Sequence, residues 1–239
     1  MGDNGSDGAL RTGVLRAVIA AVIAAAAAVA PFAQAPVATA QACPDAKVIF
    51  ARGTFEPPGV GGTGQAFVDS VRTQLPGKSI DVYPVNYPAS LDFARAADGV
   101  IDATNTIQDT VNTCPDTKII LGGYSQGAAV MAYITTDEIP AEFNLPAGIT
   151  GPMPEAVSDH IAAVALFGKP SNGFLQMIDR NAPPITIGQF YTGKTLDLCV
   201  QDDPICSAGG NSGAHGAYAL NGMTEQAATF ASRQVLQTA

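Results

Sequence analysis

The amino-acid sequence predicts an α/β fold, a central and mostly parallel sheet with helices on both faces. Three observations predict it. Short β-rich runs alternate with longer segments of helical periodicity from Lys47 to the C-terminus. Beyond His160, the run to Gly168 is continuously apolar, as suits a strand covered on both faces. Finally, Lys118-Ile119-Ile120-Leu121 leads through Gly122-Gly123-Tyr124-Ser125-Gln126-Gly127 into the helix formers that start at Ala128. That is the strand–turn–helix order of a sharp turn with an exposed serine.

The chain opens with Arg11 and Arg16, then an apolar block from Ala17 to Ala30, then Pro31 and a string of small residues. The block is too short to cross a ~30 Å hydrocarbon core as a helix. The pattern predicts a secretory signal peptide over 1–42, removed after Ala40-Gln41-Ala42, with Ala33-Gln34-Ala35 as a rival site. Cleavage there leaves Cys43 first, but Ala40-Gln41 fits a lipoprotein site poorly. A soluble exported protein follows, with no transmembrane segment after cleavage, either released or held at the cell envelope. Residues 43–239 are long enough for one domain with a sizeable core.

The first strand is expected at Lys47–Ala51, followed by a loop dense in Gly and Pro from Arg52 to Thr63. A helix is read from Gln65 to Leu75, stopped by Pro76-Gly77. Ile80–Val85 reads as a second strand. Ser90 reads as the N-cap of a long helix in which Leu91, Ala94, Ala97, Ile101 and Ile107 recur near helical spacing, out to Val111. The Ser125 strand comes next, then an irregular connection from Glu138 to Asp159. The apolar strand His160–Gly168, a last strand Thr195–Val200 and a closing helix Thr224–Leu236 complete the chain, with Ala227, Phe230 and Val235 inward.

Composition excludes several classes of function. The net charge is −9, and removing residues 1–42 takes away Asp3, Asp7, Arg11 and Arg16 and leaves it unchanged. An acidic domain with scattered Lys and Arg is no nucleic-acid binder. All 4 cysteines lie in the mature part, which suits an oxidising compartment. Cys199 and Cys206 are close enough to staple one loop, leaving Cys43 to Cys114. A zinc site is disfavoured because no Cys-x-x-Cys pair exists and both histidines lie outside ligand spacing. Gly59-Val60-Gly61-Gly62-Thr63-Gly64 matches the dinucleotide pattern, but it stands well after the strand, behind Pro57-Pro58, where pyrophosphate could not reach the helix N-terminus.

A serine needs a base within hydrogen-bond reach to act as a nucleophile. The chain has 2 histidines. His160 opens a buried strand and reads as a strand-edge residue with a satisfied ring. His215 lies in the flexible run Gly213-Ala214-His215-Gly216 before the final helix. With the order serine, acid, histidine, Asp197, Asp202 and Asp203 all fall in the right interval.

With these motifs assembled, the mature chain resembles the cutinase family of serine esterases, in particular its bacterial exported members. The resemblance rests on Ala51-Arg52-Gly53-Thr54, Gly122-Gly123-Tyr124-Ser125-Gln126-Gly127, Cys199-x-x-x-Asp203-x-x-Cys206 and the following His215. It implies a cutinase-like α/β-hydrolase three-layer sandwich without a large lid. It implies Ser125 as nucleophile, His215 as general base and acid, and Asp203 as the partner of His215. Thr54 and the backbone N–H of Gln126 would form the oxyanion hole, although family members often carry Ser at the Thr54 position. The family's two disulfides match Cys43–Cys114 and Cys199–Cys206. The expected activity is hydrolysis of short- to medium-chain acyl esters, lipid or polyester, by a monomer without metal or organic cofactor. A long-chain lipase, phospholipase or thioesterase is the alternative within hydrolases, and a non-catalytic secreted lipid-binding protein is the alternative outside them.

Overall fold

Five parallel strands in the order β2-β1-β3-β4-β5 form the sheet that positions everything else in the computed structural model. The structure describes residues 42–139, 145–180 and 182–237. The expected signal peptide, except Ala42, lies outside the described residues, as does 140–144 of the irregular connection. The strands are β1 (Ala46–Ala51), β2 (Ile80–Pro84), β3 (Lys118–Tyr124), β4 (Ile161–Phe167) and β5 (Thr195–Leu198). The main helices are α1 (Gly61–Gln74), α2 (Ala96–Thr113), α3 (Gln126–Ile134) and α8 (Met223–Gln237). Short helical turns lie at α4 (Glu155–Ser158), α5 (Asn172–Ile178), α6 (Gln189–Thr192) and α7 (Ser212–His215).

Two apolar cores form because successive side chains of a strand point to opposite faces. Ile49 and Ala51 of β1 join Ile119 and Leu121 of β3 under α2 and α3. Val48 and Phe50 join Ile120 and Phe167 on the other face, under α1 and α8, which also pack on each other. All seven residues of β4 are buried, as its unbroken apolar run requires. The register of β4 on β3 shifts between Ile119 and Ile120, so Ala162 and Ala163 both face the second core. The result is a three-layer α/β sandwich of the α/β-hydrolase kind.

Three elements differ from the expectation, each for a local reason. Helix α1 starts at Gly61 rather than Gln65. The Glu56 carboxylate reaches over and accepts from the Gly62 N–H at 2.7 Å, supplying the acceptor that the first turn of a helix lacks. A β-carbon on Gly61, which has φ +71°, would lie 2.2 Å from Glu56 Oε2, so the glycines admit this carboxylate. Ser90 does not cap a helix. Its carbonyl accepts from Gln126 Nε2 at 2.9 Å, Leu91 is exposed, and α2 begins only at Ala96 after a 3₁₀ turn over Phe93–Arg95. The last strand ends at Leu198, because the Val200 N–H is drawn to the Tyr218 hydroxyl at 3.1 Å.

The chain runs outward from β1 to β2 and then returns to β3 on the other side of β1. Sheets of this winding open a crevice at the carboxyl ends of the strands where the direction reverses. Here that point lies between β1 and β3, the ends that carry Thr54 and Ser125.

Candidate active site

Ser125 stands on the turn between β3 and α3 with φ 54° and ψ −119°, a strained conformation for a residue with a side chain. The glycines around it allow the turn. A β-carbon on Gly123 would meet the Gly127 carbonyl oxygen at 2.3 Å. Gln126 is the first residue of α3, so its N–H has no partner within the helix and lies at the positive end of the helix dipole. Its side chain is buried and donates to the Ser90 carbonyl, anchoring the segment that borders the cleft.

From Ser125 a chain of hydrogen bonds runs inward. Ser125 Oγ lies 2.8 Å from His215 Nε2, and His215 Nδ1 lies 2.8 Å from Asp203 Oδ2. Asp203 is wholly buried. Its carboxylate is satisfied by three donors: the Ile205 N–H on Oδ1 at 2.8 Å, His215 on Oδ2, and the Tyr218 hydroxyl on Oδ2 at 2.6 Å. The other two candidate acids do not approach the imidazole. Asp202 is exposed with φ 66°, and Asp197 pairs with Lys169 at 3.2 Å.

Two tyrosines hold the imidazole in place. Tyr124 stacks on it at 5.1 Å and donates its hydroxyl to the His215 carbonyl at 2.7 Å. Burial, with the negative charges of Glu56 and Asp203, pushes the Tyr124 phenol up to about 12, so it remains a neutral donor. Tyr218 meets the ring edge-on at 6.2 Å and lies 5.8 Å from Tyr124. Gly168, with φ +58°, ends β4 where a β-carbon would lie 3.0 Å from His215 Cε1.

The Cys199–Cys206 disulfide brackets Asp203, and Cys43–Cys114 ties the start of the described chain to the end of α2. His160 lies at the opposite end of the sheet, where Nδ1 meets the Pro115 carbonyl at 2.9 Å.

Thr54 follows β1 in a loop that is fixed on either side. Arg52 is buried and donates to the carbonyls of Glu56 at 2.8 Å and Tyr87 at 2.6 Å. Glu56 Oε2 accepts from the Gly53 N–H at 2.6 Å, and the Phe55 N–H donates to the Ala89 carbonyl at 2.7 Å. Among the described residues, four side-chain-bearing positions have positive φ: Phe55, Ala89, Ser125 and Asp202. Each is part of this site or adjoins it, so the backbone strain is concentrated here.

Ser125, Gln126, Thr54 and His215 open onto one cleft of about 330 Å³. Phe174, Leu175 and Ile178 of α5 and Tyr133 of α3 give it an apolar wall. A larger open depression of about 650 Å³, lined by Arg52, Asn86 and Arg95, lies on the other side of Phe55 and contains none of the three hydrogen-bonded residues. Among the described residues, no group of three or more His, Cys, Asp or Glu could hold a metal ion, and no helix is long and apolar enough to cross a membrane.

Sequence reasoning passed over Arg52, Glu56, Tyr124 and Tyr218 as partners of the site. Tyr218 stands three residues after His215, just beyond the end of α7, and Glu56 is hinted at only by the Gly61-Gly62 pair.

The chain is similar over most of its length to several known proteins. A family model described as Cutinase matches residues 42–235. The chain is 50% identical over 199 residues to Carboxylesterase Culp1 of Mycobacterium tuberculosis (strain ATCC 25618 / H37Rv), covering 83% of this chain and 85% of that protein. It is 48% identical over 203 residues to Phospholipase Culp4 of the same organism, covering 85% and 84%. Among solved structures, Trichoderma reesei cutinase in complex with a phosphonate inhibitor superposes with a TM-score of 0.60 at 32% identity, covering 81% of this chain and 77% of that one.

Proposed function

The chain belongs to the cutinase family of carboxylic ester hydrolases, and on that premise we propose that it is an exported serine esterase of short- to medium-chain acyl esters. The observation that carries this reading is the unbroken hydrogen-bond chain Ser125–His215–Asp203, opening on a cleft with an apolar wall.

In the proposed cycle, neutral His215 accepts the Ser125 proton at Nε2 as Oγ attacks the ester carbonyl carbon. Asp203 holds Nδ1–H and stabilises the imidazolium that forms. The carbonyl oxygen becomes an oxyanion, to which the N–H groups of Thr54 and Gln126 donate, each contributing on the order of 3 kcal/mol. As the intermediate collapses, the carbonyl re-forms and the carbon–oxygen bond to the alcohol breaks. His215 gives its proton to the departing oxygen, leaving an acyl-Ser125 ester. Water then repeats the sequence, and Ser125 recovers its proton from His215.

Export is supported by the two disulfides, which suit an oxidising compartment, and by the Arg-flanked apolar segment at the N-terminus. The similarity to Phospholipase Culp4 favours a second reading within the same chemistry, a phospholipase. Hydrolysis of p-nitrophenyl butyrate by residues 43–239 tests the esterase reading, with Ser125→Ala expected to be inactive. Turnover by Ser125→Ala equal to that of the parent would refute it. A screen across acyl length and head group separates the two readings.

A further inference from the structure

Tyr218 is the largest of the wholly buried side chains among the described residues, and the cycle above gives it no task. Its ring packs edge-on against Phe167, which Phe would do as well. The hydroxyl is what needs a reason, because burying one without good partners is costly. It accepts from the Val200 N–H at 3.1 Å and lies 3.3 Å from Cys206 Sγ, so its single proton goes to Asp203 Oδ2 at 2.6 Å. That distance is in the range of strong bonds to a carboxylate. Oδ2 is also the oxygen that holds His215 Nδ1 at 2.8 Å.

We propose that Tyr218 is a positioning residue that sets how much negative charge Asp203 presents to His215. Two donors share one oxygen, and charge drawn toward the phenol is not available to the imidazolium. The remaining oxygen, Oδ1, is fixed by the Ile205 N–H, so the carboxylate cannot turn to separate them. The chain delivers both donors together. His215 ends α7, the Ala217 N–H bonds back to the Ala214 carbonyl, and Tyr218 comes three residues after His215 beside the same carboxylate. Burial, and then the bond to Asp203, raise the phenol's pKa, so Tyr218 stays protonated throughout the working range.

The inference rests on the serine-esterase reading. Other titratable or charged groups near the pair are Tyr124 from β3, Asp179 at the end of α5, Asp202 beside Asp203, and Lys169 paired with Asp197 at the ends of β4 and β5. Glu56 acts on Tyr124 through space. Tyr124 also touches the Tyr218 ring at 5.8 Å, a contact that a Phe ring keeps.

Tyr218→Phe keeps the ring and removes the donor. With p-nitrophenyl butyrate, KM is expected to stay unchanged, and the effect is read in the pH dependence of kcat/KM. The acid limb of the kcat/KM profile moves to higher pH, because Asp203 then holds the imidazolium more strongly. The low-field proton signal of His215 Nδ1 moves downfield for the same reason. Replacing Tyr218 by 3-fluorotyrosine keeps the shape and strengthens the donor, so the limb moves to lower pH. An unmoved acid limb in folded Tyr218→Phe, or a shift of the same sign in both variants, overturns the proposal. If Ser125→Ala is inactive while the limb stays put, only the role of Tyr218 falls. If Ser125→Ala is active, the esterase reading falls first.

Discussion

Gly127 lies against the end of β1 so closely that a β-carbon on it would sit 2.0 Å from the Ala51 carbonyl oxygen. The first turn of α3 therefore rests on the strand that leads to Thr54, and the two expected oxyanion donors take their spacing from that contact. Gly127→Ala forces backbone apart rather than a flexible side chain. It is expected to cost ~3 kcal/mol of stability, the upper end for overpacking. It should also lower kcat more than it raises KM, because in the proposed cycle the donors act on the transition state. Thermal unfolding and steady-state kinetics check both, and a fully active variant of ordinary stability would show that α3 can lift without consequence.

Asp202 and Asp203 are neighbours in sequence with opposite surroundings. Asp203 is wholly buried among three donors, whereas Asp202 is exposed and offers its backbone carbonyl to the Asn211 N–H at 3.0 Å. Asp203→Asn is expected to lower kcat by about 10³- to 10⁴-fold, the loss seen when the acid of such a triad becomes an amide. Asp202→Asn should stay within about twofold. Comparable losses in both variants would move the catalytic role away from the buried carboxylate.

How much could be read from the sequence follows from what each residue's job demands. The Ser125 turn shows because a strand, two glycines and a helix must stand in that order for the backbone to double back. His215 shows because the chemistry needs a base and the chain has 2 histidines. The acid was narrower than chemistry alone could resolve. Three aspartates satisfied the order, and what separates them is burial and an ion pair, both tertiary. The start of α1 and the break before α2 were hidden for a similar reason. Glu56 accepts from the Gly62 N–H across the loop, and the Ser90 carbonyl accepts from the distant Gln126 side chain, and both bonds override local propensity. Tyr218 reads as core until its hydroxyl is followed to Asp203.

The two disulfides are expected to fail differently. Cys43–Cys114 spans 71 residues, and Cys199–Cys206 spans 7. On loop-closure entropy alone they contribute ~4 and ~2.5 kcal/mol. Only the short one holds Asp203 between its ends. Replacing Cys43 and Cys114 by Ser should lower the unfolding midpoint while the folded fraction keeps its turnover. Replacing Cys199 and Cys206 by Ser should lower stability less and turnover more. The reverse ranking would mean that the hydrogen bonds to Asp203 suffice to hold its loop.

Asp45 makes stability depend on acid at the far end of the sheet. Its carboxylate accepts from the Ser79 N–H at 2.8 Å, the Ser79 hydroxyl at 2.7 Å and Lys78 Nζ at 2.9 Å, tying the start of β1 to the start of β2. The Ser79 backbone bond foremost, then Lys78, hold its pKa well below the carboxylate range. A carboxylate whose folded pKa is depressed stabilises the fold above its unfolded value, ~3.9, and loses that contribution as pH falls toward the folded value. Asp45→Asn should therefore unfold at a lower temperature near neutrality, with the gap closing below about pH 4. Unfolding curves across this range decide it, and a gap independent of pH would assign the effect to shape rather than charge.

Acyl selectivity is expected to follow the wall that α5 gives the cleft. Phe174, Leu175 and Ile178 share one side of this short helix and line the cleft, while Met177 points away and is exposed. Ile178→Ala removes bulk from the apolar lining of the cleft. Each further methylene that an acyl chain can then bury contributes ~0.8 kcal/mol, about fourfold in kcat/KM. The ratio of p-nitrophenyl decanoate to butyrate turnover should rise several-fold in Ile178→Ala and fall in Ala182→Phe, which adds bulk to the lining of the same cleft. Ratios unchanged in both variants would show that the acyl chain leaves Ser125 by another path.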